Sequence, residues 1–326
     1  MACSTSWHDS CAVPRSVPGG KQPRDEFSLI ARYLKELDRG PAVVVGNGDD
    51  GAVLRLDAHE ELVVSVDSML EGVHFPFDSP PSELAYRAVA AATSDLAAMG
   101  ARPLGMTLAL TIPEADDAWL RELRLGLSDA VGDFSLPLVG GDLTRGSLTL
   151  SVQVMGAVPA GGAIRRDGAR PGDRVCVSGP LGDAAAGLAL IEGRVAGDGP
   201  ANTALREHFW RPMPALDLGI SLRGKATAAV DVSDGLLADL GHIAEASKVC
   251  VIVDSSQLPI SEAVNSIASG EQALAWALGG GEDYCLGFTL PESHELPPGS
   301  CVIGRVEEGA GVRCDAADAV DGYRHF

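Results

Sequence analysis

Six short stretches set an acidic residue against glycine, serine or the end of a strand: GNGDDGAV (46–53), SVDSMLEGVHF (65–75), TSDLAAMG (93–100), VGGDLTRG (139–146), VDVSDGLLADLGH (230–242) and GGGEDY (279–284). Each can carry a carboxylate on a tight turn with bare backbone beside it. Several such carboxylates together are the equipment for gathering hard cations around a polyphosphate. As a set they point to magnesium-dependent phosphoryl transfer.

Taken singly, the motifs differ in what they say. Asp49 and Asp50 stand side by side on a glycine turn, a pattern that ordinary solvated turns also use. The period of two over residues 62–67 puts Val63, Ser65 and Asp67 on one face and Leu62, Val64 and Val66 on the other, so Asp67 is expected to end a strand. His74, between Val73 and Phe75, suits either a buried structural histidine or a partner for a substrate phosphate or ring. Asp95 lies late in an alanine-rich helix, on a face with no side-chain partner, where an acid opposes the helix dipole unless a cation compensates.

The paired glycines before Asp142 let backbone N–H groups of the Gly141 turn approach an anion while the carboxylate reaches a cation. In VDVSDG, Asp231 and Asp234 bracket Ser233 between a strand and a helix start, so carboxylates, a hydroxyl and free helix N–H groups converge. Simple N-capping would need only one of these. Glu282 and Asp283 repeat the device in GGGEDY, and Arg166 is the natural cation for phosphate.

The elements that must position these residues alternate between helix and strand. Residues 26–37 place Phe27, Ile30, Leu34 and Leu37 at helical spacing, while 52–56 and 62–66 read as strands. Residues 82–99 read as a closely packed helix with Ser82 as N-cap and Gly100 as its stop. Apolar strands over 103–112 and 148–158 flank an amphipathic helix over 116–131. Gly, Pro and charge then displace apolar residues over 159–173, which sets a domain boundary near residue 160 before a strand at 174–178. Residues 1–24, rich in Ser, Pro, Gly and Cys, read as a disordered leader, leaving domains at 25–159 and 160–326.

Composition narrows the function classes. The chain has 326 residues, 46% of them hydrophobic and 21% charged, enough to bury two cores. Its formal net charge of −20 argues against nucleic acid or an anionic membrane as partner, so an anionic substrate needs metal mediators. Seven cysteines without a CxxC pair indicate neither a disulfide framework nor a zinc site, and fit a reducing cytoplasm. No apolar run is long enough to cross a bilayer. Neither a GxxxxGK[ST] loop nor protein-kinase HRD and DFG signatures occur, so bound ATP would be held through metal-bridged carboxylates.

The segments EFSLIARYL, GDD, SVDSMLEGVHF, LAYRAVAAATSDLAAMGA, LALTIP, GGDLTRG, GARPGD, DVSDGLLADLGHI and GGGEDY follow one another from residue 26 onward. In this order they resemble the thiamine-monophosphate kinases, of the superfamily that includes aminoimidazole ribonucleotide synthetase. The resemblance implies an α/β (α+β) protein of two domains. Its N-terminal mixed domain would pair its sheet with a second subunit in a homodimer, with active sites near the interface. The implied reaction converts ATP and thiamine monophosphate to ADP and thiamine diphosphate.

By motif, the resemblance makes Asp50, Ser65, Val66 through its carbonyl, Asp67, Asp95, Asp142, Asp231 and Asp234 magnesium ligands. It sets ATP against Gly141, Asp142, Arg166 and Ser233, and thiamine phosphate against His74 and Glu282. The family carries an aromatic residue shortly before a final GY-x-HF; this chain has Val320 there, leaving Tyr323 as the ring for stacking on thiamine. No covalent nucleophile is implied, because a phosphate monoester is already a competent anion. Two rival readings are a ligase or synthetase of the same superfamily, and a cation-binding scaffold without turnover. A selenophosphate synthetase would carry a reactive Cys in a glycine-rich N-terminal stretch, and Cys3 and Cys11 fall in the leader. The scaffold reading lacks an EF-hand loop.

Overall fold

The computed structural model describes residues 26–316, so the leader over 1–24 and both Val320 and Tyr323 lie outside the described residues. The N-terminal half runs α1 (Glu26–Tyr33), β1 (Val43–Val45), β2 (Val53–Leu54), β3 (Glu60–Leu70), α2 (Pro81–Ala98), β4 (Arg102–Ile112), α3 (Asp117–Phe134), β5 (Leu138–Arg145) and β6 (Thr149–Pro159). Four of these strands form a sheet in the order β3-β6-β4-β5, with β4 and β5 parallel and the other pairs antiparallel.

One face of that sheet carries Val63, Met69, Leu108, Leu110, Leu150 and Val152 into a core against α2 and α3. Each of the larger side chains fully buried there contributes about 1.5–3 kcal/mol. The opposite face stays open, and Leu62, Val64 and Val66 are about half exposed on it. The period-two reading of residues 62–67 therefore holds, with the Val63, Ser65 and Asp67 face turned inward. Strand β3 is longer than its apolar run suggested, because β6 hydrogen-bonds along its whole length. Asp67 consequently sits inside the strand opposite Val152, three residues before the strand ends.

Helix α2 begins two residues earlier than Ser82 as N-cap implied. Its N-cap is Pro80 and Pro81 occupies the first turn, where a missing N–H costs nothing and the fixed φ suits a helix; Ser82 is not the cap. Alanine along the helix lets neighbours approach closely. A Cβ added to Gly126 of α3 would stand 1.8 Å from the Ser82 carbonyl oxygen. The helix ends at Ala98, and Gly100 adopts a φ of +65°, the left-handed turn a helix stop favours.

The C-terminal half runs β7 (Arg174–Val177), α4 (Asp183–Ile191), α5 (Pro200–Trp210), α6 (Leu216–Leu222), β8 (Ala228–Asp231), α7 (Leu236–Ser247), β9 (Cys250–Val253), α8 (Glu262–Ile267), α9 (Gly270–Gly279), β10 (Leu286–Leu290), β11 (Cys301–Glu307) and β12 (Gly311–Cys314). Its six-stranded sheet has the order β12-β9-β11-β7-β10-β8. Val175, Val177, Val230, Val251 and Ile303 fill a second core with α7. Helix α2 also touches α6 and β8, and so joins the two halves. Gly219 of α6 fits against it so closely that a Cβ would lie 2.0 Å from the Ala97 carbonyl oxygen.

Candidate active site

Where α2 meets β3 and β8, carboxylates converge. Ser65 on β3 donates its hydroxyl to Asp95 Oδ2 at 2.5 Å. Asp95 therefore has a side-chain partner, contrary to the helix-face reading. The partner comes from thirty residues away, through strand pairing that helical spacing does not encode. Asp231 ends β8, and its Oδ2 accepts from Ser94 Oγ at 2.5 Å.

The turn after β8 carries Ser233 and Asp234 toward the same cleft. Its backbone N–H groups are occupied, whereas the sequence suggested free ones. Those of Ser233, Asp234 and Gly235 all donate to Asp239 Oδ2, at 3.0, 3.1 and 3.1 Å. Asp239 is thus a bracket that fixes the turn from the first turn of α7.

Asp67, Asp95, Asp231, Asp234, His74 and Glu282 line a cleft of about 540 Å³. No lysine or arginine is among its lining residues. Burial, then the charges of Asp95 and Asp234, push Asp67 up to about 6. Burial, then Asp95, push Asp231 up to about 7, against the lowering effect of the Ser94 hydrogen bond. Carboxylates that raise one another in this way have no side-chain cation between them. An adjoining cavity shares Asp95 and Asp231 with this cleft and brings Arg165 and Arg166 to its other side.

His74 Nδ1 accepts from the Leu70 N–H at 3.1 Å, which fixes the ring at the end of β3. Glu282 has a φ of +64°, and its Oε2 accepts from the Arg87 guanidinium and, at 2.9 Å, from the Tyr284 hydroxyl. Asp283 does not repeat that role. Its carboxylate turns inward and accepts from the Gly182 and Ala184 N–H groups at 2.7 and 3.1 Å, capping α4.

Asp50, Gly141 and Asp142 stand elsewhere, in a separate cavity between the 47–52 loop and β5. Gly141 and Asp142 lie inside β5 and not at a strand-to-turn junction, because β4 pairs with β5 through Arg145. Strands β3 and β5 are opposite edges of the sheet, three strand spacings or roughly 14 Å apart. Asp142 registers with the exposed Ala109 on the open face, whereas Asp67 registers with the buried Val152 on the helix face. Within one chain, then, the structure gathers Ser65, Asp67, Asp95, Asp231, Ser233, Asp234, His74 and Glu282. It sets Arg166 beside them and leaves Asp50, Gly141 and Asp142 apart.

The donors suit magnesium, being carboxylate, hydroxyl and carbonyl oxygens around uncompensated negative charge. Among the described residues no three of the acidic, His or Cys side chains form a ready-made metal cage. That arrangement fits an ion held by one or two carboxylates together with waters and phosphate oxygens, the usual manner of Mg²⁺.

Known proteins resemble the chain across both halves. Family models for AIR synthase related proteins match residues 48–158 (N-terminal domain) and 170–282 (C-terminal domain). The thiamine-monophosphate kinase of Escherichia coli K12 is 46% identical over 270 residues, covering 82% of this chain and 83% of that protein. The chain belongs to the thiamine-monophosphate kinase family. The Haemophilus influenzae member is 38% identical, with 88% of this chain and 90% of that protein covered.

Solved structures of the family superpose well. The crystal structure of the Stenotrophomonas maltophilia thiamine-monophosphate kinase gives a TM-score of 0.81 at 42% identity, covering 89% of this chain and 95% of that one. AaThiL complexed with AMPPCP and TMP gives 0.78 at 33% identity, covering 92% and 97%. HypE structures, at 21–22% identity, share the fold alone.

Two residues that this family member uses to build its cleft escaped the motif reading. Asp239 lay inside VDVSDGLLADLGH, and an acid in the first helical turn after a glycine was its signal. Arg87 is a lone basic residue within the alanine-rich stretch of α2, conspicuous as the only charge between Glu83 and Asp95.

Proposed function

We propose that this chain uses ATP to phosphorylate thiamine monophosphate, giving thiamine diphosphate and ADP by direct in-line transfer in the cytoplasm. The observation that carries the reading is the cleft at the β3 edge. Four carboxylates crowd there without a cation, beside a cavity that offers Arg166. Asp67, Asp95, Asp231 and Asp234 would hold Mg²⁺, with Ser65 and the Val66 carbonyl completing the oxygen set. Bound magnesium would neutralise phosphate charge and polarise the transferred group.

The chain's own residues do the positioning. Arg166 and Ser233 bind ATP phosphate oxygens, while His74 and Glu282 hold the acceptor, and its phosphate oxygen attacks without a strong base. Ser65 and Ser94 fix the rotamers of Asp95 and Asp231. We place the domain boundary near residue 160, between the two sheets.

Asp50, Gly141 and Asp142 enter the reading through a homodimer. The β5 edge of one copy would meet the β3 edge of the other, covering Leu62, Val64 and Val66. ATP consumption with magnesium, measured with and without thiamine monophosphate, tests the reaction; consumption indifferent to the acceptor would refute it. Mixing the inactive Asp67→Asn and Asp142→Asn proteins tests the shared site. Subunit exchange should restore about a quarter of the wild-type rate, since half the dimers are mixed and each regains one intact site. No recovery after demonstrated exchange would confine the site to one chain.

A further inference from the structure

We propose that Arg87 is a positioning residue that holds Glu282 in one rotamer and directs its second oxygen into the cleft, setting the affinity for the acceptor substrate. The inference rests on reading Glu282 as an acceptor contact. Arg87 is fully buried in α2, where an uncompensated guanidinium would be strongly unfavourable. Its NH2 donates to Glu282 Oε2 and its NH1 to the Phe209 carbonyl, while the guanidinium lies 3.7 Å from the Phe209 ring centre. Two of the three guanidinium nitrogens and one face of the group are therefore engaged, while Nε has no partner among the described residues. Glu282 is the single carboxylate paired with it among the described residues.

The loop side of the pair is equally fixed. Glu282 and Tyr284 both adopt positive φ, +64° and +49°, a conformation that non-glycine residues keep only when their surroundings enforce it. Gly281 lies against the Ser233 carbonyl, and the Glu282 N–H donates to that same oxygen at 2.8 Å. Arg87 and the Tyr284 hydroxyl both bond Oε2. Oε1 accepts nothing among the described residues and belongs to a side chain that lines the cleft. A carboxylate anchored through one oxygen presents the other as an oriented acceptor for an N–H or O–H donor on the substrate.

The test compares Michaelis constants for the two substrates in Arg87→Met, Tyr284→Phe, Glu282→Gln and the double variants. Arg87→Met should raise the KM for thiamine monophosphate at least tenfold, and Tyr284→Phe roughly threefold, with the KM for ATP within twofold of wild type. In the Glu282→Gln background both effects should shrink to less than twofold, because the residue they position is gone. Additive effects in that background, or equal rises in both KM values, would overturn the positioning role. Should Arg87→Met fail to fold, Tyr284→Phe and its double variant carry the same cycle. If Glu282→Gln alone leaves the KM for thiamine monophosphate unchanged, the acceptor reading of Glu282 fails instead, and the two failures are told apart.

Discussion

Asp231 and Asp283 are buried to the same degree and both are pushed up to about 7, chiefly by burial, yet they sit in opposite kinds of surroundings. Asp283 meets two backbone N–H groups at the start of α4, and those bonds lower what burial raises. Asp231 meets one serine hydroxyl and the charges of Asp95 and Asp67, which add to the burial penalty. Burial alone therefore does not mark a working carboxylate. What distinguishes the cleft is that its acids face one another, and a bound proton or an added cation relieves them.

The sharpest way to break this contrast is to remove a charge on each side. Asp95→Asn and Asp67→Asn should each cut turnover by at least a thousandfold, a loss of several kcal/mol of transition-state stabilisation, while the fold is retained by circular dichroism. Near-normal rates at saturating magnesium would deny the cleft its role. Asp283→Ala should act on stability instead, by about 2–4 kcal/mol in urea unfolding, because two buried N–H groups lose their acceptor. A large loss of turnover in a fully stable Asp283→Ala protein would erase the distinction.

Titration gives a smaller effect with a definite sign. An acid whose folded pKa is raised binds more protons folded than unfolded. Its stabilising contribution is complete below about 4 and is lost as pH rises through the folded value. Metal-free protein should therefore lose thermal stability between about pH 4 and pH 7, with Asp67, Asp231, Asp239 and Asp283 all contributing. Magnesium should flatten the share owed to Asp67 and Asp231 and leave the Asp283 share intact, so Asp283→Asn should still reduce the slope in its presence. A slope that magnesium leaves untouched would count against the cleft as the metal site. Smallest of all, Ser65→Ala should slow turnover less than tenfold, since it frees the Asp95 rotamer without removing a charge.

How much of this was legible in the chain depends on range. Asp231, Ser233 and Asp234 could be read because a strand end, a glycine turn and a helix start lie within a few residues of one another. The same local logic put Asp142 on a turn, when pairing with β4 draws it into a strand. It also left Asp95 without a partner, although β3 supplies Ser65, and left the N–H groups after β8 free, although Asp239 takes three of them. Arg87 and Glu282 lie 195 residues apart, and no periodicity connects them. The helix and strand order survived these errors because apolar period and turn residues fix it locally, whereas the long-range pairs depend on which strands become neighbours.

Helix α2 offers a last consequence. With the Gly126 and Gly219 contacts pressing on its backbone from two sides, the helix has no room to slide or roll, and it carries Arg87, Ser94 and Asp95 as fixed marks on a ruler. A gate that worked by swinging one half of the molecule against the other would have to bend this ruler first. Entry and exit of substrates are left to the margins of the cleft, where the 71–78 segment carries Phe77 and Val73 exposed to solvent. Motion that admits and releases substrate is then expected at that rim, around a closely packed centre.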